Sequence, residues 1–183
     1  MAEGSSALTS RGAPIVLTAL MGAEDFAWAE GLRRAHFPPE RNRVPAHITL
    51  FHHLPPSLLP ELSGRMKRLC AGPPPAAAVS GVRSLGRGVA FDVRSDGLLG
   101  IWDDLADAFT GLLNPQDQVR PRLHITVQNK VEPQQARALE AQLRREFCPR
   151  KLRIAGLAAW YYRDDGSWDL AKSTSFRSAG ILI

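Results

Sequence analysis

Cysteine is scarce in this 183-residue chain, which has only Cys70 and Cys148. Two cysteines exclude both a framework of several disulfides and a zinc site built from four thiolates. Unpaired cysteines of this kind are typical of reducing compartments. We therefore expect both thiols to be reduced and buried, in a cytoplasmic protein.

Long apolar runs are missing as well. The longest one near the N-terminus spans residues 15–21 and is soon followed by Glu24 and Asp25. Because a membrane-spanning helix needs about 20 apolar residues, neither a membrane span nor a secretory leader is expected. Residues 1–12 are predicted to form a flexible N-terminal tail.

Several catalytic sequence motifs are also absent. The chain has no Gly-x-Ser-x-Gly elbow and no His-Glu-x-x-His pair, and the glycine-containing segment 81–88 lacks the lysine of a P-loop. These absences count against a serine hydrolase, a helical zinc site and nucleoside-triphosphate hydrolysis. The net charge of +5 favours anionic partners such as nucleic acid, while a generally basic surface without such a partner stays open.

The chain does contain one four-residue pattern twice, as His-Ile-Thr-Leu at residues 47–50 and His-Ile-Thr-Val at residues 124–127. Side chains alternate along a β-strand, so each copy presents an imidazole and a hydroxyl on one face. Two copies that face each other would place two proton carriers and two hydroxyl donors around one small group. The candidate catalytic residues are therefore His47, Thr49, His124 and Thr126.

The repetition extends beyond the motif, because Pro56 and Pro133 each follow their histidine by nine residues and precede a predicted helix. A diverged duplication of this kind packs most simply about a pseudo-twofold axis, with the two motif strands beside a shared groove. The hydrophobic pattern predicts strands at residues 13–21, 46–53, 76–84, 88–93, 123–128, 151–163 and 168–176, and helices at 23–37, 58–70, 98–113 and 134–147.

At these residues the chain resembles the two-histidine (2H) phosphoesterases, and most closely the bacterial 2′-5′ RNA ligase / RNA 2′,3′-cyclic phosphodiesterase family. That family has one His-x-Thr/Ser-x motif in each half, and both copies in this chain match it. The resemblance implies a single bilobal α+β domain over residues 13–183. In that fold two antiparallel sheets flank a central groove and the helices lie on the outside.

The resemblance also implies a function: hydrolysis of RNA 2′,3′-cyclic phosphate ends without metal or cofactor, with reversible 2′-5′ RNA ligation as a related activity. The residues are suited to this chemistry. One neutral imidazole can take a proton from water while an imidazolium protonates the departing ribose oxygen, and the threonines can hold charge on phosphate oxygens. We assign His47 as acid and His124 as base for hydrolysis, and the opposite assignment stays open.

Further candidates for substrate binding lie close to the motifs. Alternation places Phe51 on the face of His47, where its ring could stack on a base, and positive charge precedes each motif. For each of these residues a role in the core or on an ordinary surface stays open. The full set is Phe51, His53, Arg43, Arg122, Lys130 and Tyr161.

Two other interpretations remain. A metal site at His47, His52 and His53 is disfavoured, because no suitable carboxylates lie near either motif. A non-catalytic RNA-end binding module would keep the groove without turnover. The expected partners are RNA ends or small cyclic nucleotides, with 2′-5′ oligonucleotides as a further substrate. No membrane and no obligate protein partner is expected.

Overall fold

The computed structural model describes residues 12–177, so the tail predicted for residues 1–12 lies outside the described residues except for Gly12. The strands are β1 (Ile15–Met21), β2 (Ile48–Leu54), β3 (Ala77–Ser84), β4 (Val89–Arg94), β5 (His124–Gln128), β6 (Arg150–Leu152), β7 (Ile154–Tyr162) and β8 (Trp168–Ser175). The helices are α1 (Ala23–His36), α2 (Leu59–Leu69), α3 (Asp96–Ala108) and α4 (Pro133–Glu146).

Two four-stranded antiparallel sheets form the framework. The first sheet has the order β2-β1-β7-β8 and the second has the order β5-β4-β3-β6. Both motif strands, β2 and β5, therefore lie at an edge of their sheet. The predicted α+β fold with two antiparallel sheets is confirmed.

The chain passes from one sheet to the other at Arg153, and the single strand predicted for residues 151–163 is wrong on this account. The segment before Arg153 is β6, which pairs with β3 in the second sheet. The segment after it is β7, which pairs with β1 in the first sheet. An apolar run carries no signal for such a change of partner, so periodicity alone predicts one strand.

Each half of the chain sends a helix across to the other sheet. Helix α1 follows β1 of the first sheet, yet its Trp28 packs on Phe91 of the second, with ring centroids 5.0 Å apart. Helix α3 follows β4 of the second sheet, and its Trp102 stacks on Phe51 of the first at 5.7 Å. This exchange joins the two halves in one hydrophobic core.

Helix α3 is shorter than the predicted helix at residues 98–113. The Ser95 hydroxyl caps its start by accepting a hydrogen bond from the Leu98 amide at 3.2 Å, and the helix ends at Ala108. Cys70 is buried as expected, whereas Cys148 is exposed, so the expectation of two buried thiols is wrong for Cys148. No helix in residues 12–177 is long and apolar enough to cross a membrane.

Candidate active site

Both motif strands carry a β-bulge at the fourth residue of the motif. In β2, Thr49 pairs with Thr18 and Phe51 pairs with Leu17, so Leu50 is the extra residue. In β5, Thr126 pairs with Ala90 and Gln128 pairs with Val89, so Val127 is the extra residue. The two motif strands therefore share the same register shift as well as the same sequence pattern. A bulge changes the direction of the side chains that follow it.

The bulge corrects the prediction for Phe51. Strict alternation places Phe51 beside His47, but Leu50 and Phe51 both turn inward and the Phe51 ring is 0% exposed. It packs on Trp102 in the core and has no surface on which a base can stack. His52 takes the place on the motif face that Phe51 was expected to occupy.

The edges of the two sheets meet around a cavity of about 290 Å³. It brings together three of the four predicted catalytic residues, His47, Thr49 and His124. Thr126 is half-buried on the same face of β5 as His124, but it does not line this cavity. The complete lining is Val16, His47, Thr49, His52, His53, Gln116, His124, Tyr162 and Trp168.

The two motif histidines are held in the same way. The Nδ1 of His47 lies 2.7 Å from the carbonyl oxygen of Pro45, and the Nδ1 of His124 lies 2.8 Å from the carbonyl oxygen of Arg122. A carbonyl oxygen only accepts hydrogen bonds, so each Nδ1 carries a hydrogen and donates. Each Nε2 is then the nitrogen free to lose or gain a proton.

The environment of His47 opposes its protonation. Burial lowers the pKa of His47 to about 4, against the raising effect of the Pro45 carbonyl. The positive charges of Arg33, His124 and His52 lower it further. The ring also packs on Trp168, with ring centroids 4.6 Å apart. His47 is therefore neutral in the free protein at physiological pH.

His124 has charges of both signs around it. Burial lowers its pKa, the Arg122 carbonyl raises it, and Arg83 lowers it from a position 3.4 Å from Nδ1. Asp92, which is ion-paired with Arg83, raises it again. On balance the pKa of His124 lies below its usual value, because burial outweighs the raising effects. His124 nevertheless has a carboxylate nearby that favours its protonated form, and His47 has none among the charges that act on it.

Arg33 joins the loop that precedes β2 to the other motif strand, β5, and was not found from the sequence. It is 4% exposed, and its Nε donates to the Val44 carbonyl at 3.0 Å and to the Asn42 side chain at 2.8 Å. Its Nη1 donates to the Thr126 carbonyl at 2.8 Å. Burial lowers the pKa of Arg33 to about 10, against the raising effect of Glu30, so its charge persists at neutral pH.

A family model described as the 2′-5′ RNA ligase superfamily matches residues 22–166. The chain belongs to this superfamily. The resemblance drawn from the two motifs is thereby confirmed, and the protein is a phosphoesterase- or ligase-type enzyme. Among curated proteins, no sequence matches the chain significantly.

Solved structures support the fold of this superfamily member. TT0787 of Thermus thermophilus is 18% identical with a TM-score of 0.58, and the match covers 91% of this chain and 99% of that chain. E. coli LigT complexed with 3′-AMP is 18% identical with a TM-score of 0.55 and the same coverage. E. coli LigT complexed with phosphate is 16% identical with a TM-score of 0.53, again over 91% and 99%.

Aromatic side chains from the β7–β8 hairpin close one side of the cavity in this protein. Tyr162, rather than the predicted Tyr161, lines it; Tyr161 packs against the core, because neighbouring residues of a strand point to opposite faces. His53 lies at the cavity as predicted, with its ring centroid 5.4 Å from that of Tyr162. Trp160 donates from Nε1 to the Thr18 hydroxyl at 2.9 Å and packs beside Trp168.

The predicted cationic residues lie outside the cavity wall. Arg43 and Lys130 are exposed, and Lys130 adopts a positive φ of 62° just after β5. Arg122 is exposed and lines a larger groove of about 1190 Å³ along β3, β4 and β6, next to His124. This groove is the larger depression, but the motif residues converge on the smaller cavity, which is therefore the candidate active site.

Within residues 12–177, no group of three or more His, Cys, Asp or Glu side chains is arranged to hold a metal ion.

Proposed function

We propose that this protein is a metal-independent RNA 2′,3′-cyclic phosphodiesterase that opens the cyclic phosphate to a phosphomonoester. The observation that supports this best is the matched pair of imidazoles at one cavity, each with Nδ1–H bound to the carbonyl two residues before it. Binding alone needs no matched pair of proton carriers, so this arrangement favours turnover over the non-catalytic binding module.

The hydrolysis uses one water and leaves the protein unchanged. The water oxygen bonds to phosphorus while the bond from phosphorus to one ribose oxygen breaks. One Nε2 takes the proton from water and the other gives its proton to the ribose oxygen. The Thr49 and Thr126 hydroxyls donate to the non-bridging oxygens, where negative charge accumulates. Proton exchange with solvent then returns the two histidines to their starting protonation states.

The surroundings of the histidines favour His47 as base and His124 as acid, the reverse of the assignment made from sequence. A base must be neutral, and the pKa of His47 lies at about 4. An acid must be protonated; burial lowers the pKa of His124 on balance as well, but the Arg122 carbonyl and the Asp92 carboxylate both act against that shift, whereas no carboxylate acts on His47. The two roles exchange when the reaction runs in reverse as 2′-5′ ligation.

A substrate that needs no acid tests these roles. Bis(p-nitrophenyl) phosphate releases p-nitrophenolate, which leaves without being protonated. His124→Ala should keep most of its activity on this ester and lose its activity on a cyclic phosphate, because an acid helps only the poor leaving group. His47→Ala should lose both activities, and the opposite pattern would restore the assignment made from sequence.

Nucleotide ligands of structural neighbours are in accord with the proposal. E. coli LigT has been solved with 3′-AMP, which is a phosphomonoester of the kind that ring opening produces, and with phosphate. The net charge of +5 also favours a nucleic-acid end as substrate.

The proposal is tested by turnover of adenosine 2′,3′-cyclic phosphate and of an oligoribonucleotide with a cyclic phosphate end, with and without EDTA, and with products identified by phosphorus NMR. We expect one phosphomonoester, EDTA-resistant turnover and a bell-shaped pH profile. Tight binding of these compounds with no turnover would favour the RNA-end binding module. Loss of turnover in EDTA would contradict the two-histidine mechanism.

A further inference from the structure

A third imidazole faces the cavity and has its own carboxylate. The Nδ1 of His52 lies 3.2 Å from Oδ1 of Asp117. A carboxylate only accepts, so Nδ1 carries the hydrogen, and Nε2 is the nitrogen left for the cavity. The His52 side chain is 40% exposed and lines the cavity wall with His47 and His124.

Asp117 is a charged group enclosed by donors. It is 2% exposed in the loop between α3 and β5. Its oxygens accept from the amides of His52 and His53, each at 2.8 Å, and from Nδ2 of Asn114 at 3.2 Å. Burial raises the pKa of Asp117, but the bonds from the His52 side chain and the two amides outweigh it, and the pKa lies below its usual value.

We propose that His52, oriented by Asp117, is a third substrate-contacting residue whose Nε2–H donates to an oxygen of the terminal phosphate. In this proposal both ring nitrogens of His52 donate when the phosphate is bound: Nδ1–H donates to the buried carboxylate of Asp117, and Nε2–H donates to the anion. This inference rests on the proposed function, because it assumes that the cavity holds a phosphate group.

Among the titratable groups at the cavity, His52 is the one best placed to hold the phosphate throughout the reaction. The titratable groups that face it are His47, His124, His53 and Tyr162, together with Asp117 behind the ring. The charge of His52 lowers the pKa of both His47 and His124, so these two imidazoles are poor permanent cations. A residue that holds phosphate through the whole reaction takes no part in the proton transfers. Among these histidines within residues 12–177, only His52 has a buried carboxylate as hydrogen-bond partner.

Binding measurements on His52→Gln test the contact. Glutamine keeps a side chain of similar polarity that can donate, so the substitution removes the charge while it retains hydrogen-bonding capacity. The probes are adenosine 3′-monophosphate and adenosine 2′,3′-cyclic phosphate, titrated by calorimetry at neutral pH. We expect about a 10-fold or greater loss of affinity for the 3′-monophosphate, which carries more negative charge, and a smaller loss for the cyclic compound.

His36→Gln is the matched control, because His36 lies at the end of α1 and outside the cavity lining. It should bind both probes within about twofold of the wild type. If His52→Gln also binds the 3′-monophosphate within twofold of the wild type, His52 does not contact the phosphate and the inference is overturned.

A second substitution separates orientation from general stability. Asp117→Asn removes the carboxylate, and the double variant with His52→Gln shows whether Asp117 acts through His52. We expect the double variant to bind the 3′-monophosphate no more weakly than His52→Gln alone, whatever the change in thermal stability. Fully additive losses would exclude Asp117 as the positioning residue. If Asp117→Asn does not fold, His52→Gln and its control still decide the contact.

Failure of this inference and failure of the proposed function are distinguishable. Wild-type turnover of the cyclic phosphate together with unchanged binding by His52→Gln removes only the His52 contact. Absence of turnover together with binding that depends on His52 removes the phosphodiesterase proposal and retains a phosphate-binding cavity.

Discussion

The imidazole of His47 shows how one residue couples chemistry to stability. Its pKa is about 4 in the folded protein, below the value of about 6.5 for an exposed histidine. Above pH 6.5 both the folded and the unfolded chain keep it neutral, so it contributes nothing. As pH falls from about 6.5 to 4 the unfolded chain takes up a proton that the folded chain does not, and the folded state loses stability.

His47→Gln should therefore lose less stability on acidification than the wild type. Between pH 7.5 and 4.5 we expect the difference in the change of unfolding free energy to be about 1–3 kcal/mol, after allowance for the partial exposure of the ring. Urea unfolding at the two pH values measures it. His36→Gln should behave as the wild type, and an equal acid loss in His47→Gln would contradict the lowered pKa.

The catalytic candidates could be predicted from the sequence because a motif is local. His47 and Thr49 lie two residues apart, and so do His124 and Thr126. The residues that form hydrogen bonds to the motif strands from elsewhere in the chain could not be predicted, since they are remote in sequence from their partners. Arg33 bonds the carbonyl of Thr126, 93 residues away, and Asp117 bonds His52, 65 residues away. No pattern within one segment signals such a contact.

At the scale of strands, the paired bulges set what faces the cavity. The sequence repeat predicts two equivalent strands, and their equivalence extends to the extra residues Leu50 and Val127. Strict alternation fails just beyond those residues, which explains the error for Phe51. The bulge in β5 likewise turns Gln128 into the interior, where it is 3% exposed, although strict alternation would place it on the face of His124. A bulge depends on the partner strand, so the motif strand alone does not reveal it.

Gly88→Ala tests how closely β4 and β5 must approach at the second bulge. An added Cβ at this position would overlap the backbone of Gln128 and Asn129. We expect a loss of about 1–3 kcal/mol in unfolding free energy, together with lower turnover, because β5 carries His124. Chemical denaturation and the cyclic phosphate assay measure the two effects.

Gly100→Ala is the control for this substitution. Gly100 lies in α3, where an added Cβ has nothing within 4 Å. It should stabilise the protein by about 0.5–1 kcal/mol, through helix propensity, without changing turnover. Equal stability and turnover in Gly88→Ala and the wild type would show that the close approach is not required.

At the scale of the whole molecule, the chain crossings between the two sheets fix the position of one sheet relative to the other. This position brings His47 and His124, from different sheets, to one cavity. The order of elements and the duplication were predictable from periodicity and spacing. The passage of the chain from β6 to β7 was not, and Asp25 secures it. Asp25 accepts from the Arg150 side chain at 2.6 Å and from the Arg153 amide at 2.7 Å.

Asp25→Ala should lower the unfolding free energy by about 1–3 kcal/mol, because it leaves a half-buried arginine and a backbone amide without their acceptor. Asp103→Ala breaks an ion pair with Arg120 whose side chains are both about half exposed, and should cost about 0–1 kcal/mol. Urea denaturation measures both variants. A similar small loss in the two would show that the junction at Asp25 does not hold the lobes together.

The central claim is that two imidazoles from opposite lobes act together on one phosphorus atom, and turnover of adenosine 2′,3′-cyclic phosphate by His47→Ala, His124→Ala and the double variant tests it most directly. Because each histidine supplies one of two coupled proton transfers, each single variant should lose about 100- to 10,000-fold in kcat. The double variant should be little worse than the poorer single variant. A folded single variant that turns over at nearly the wild-type rate would contradict the account.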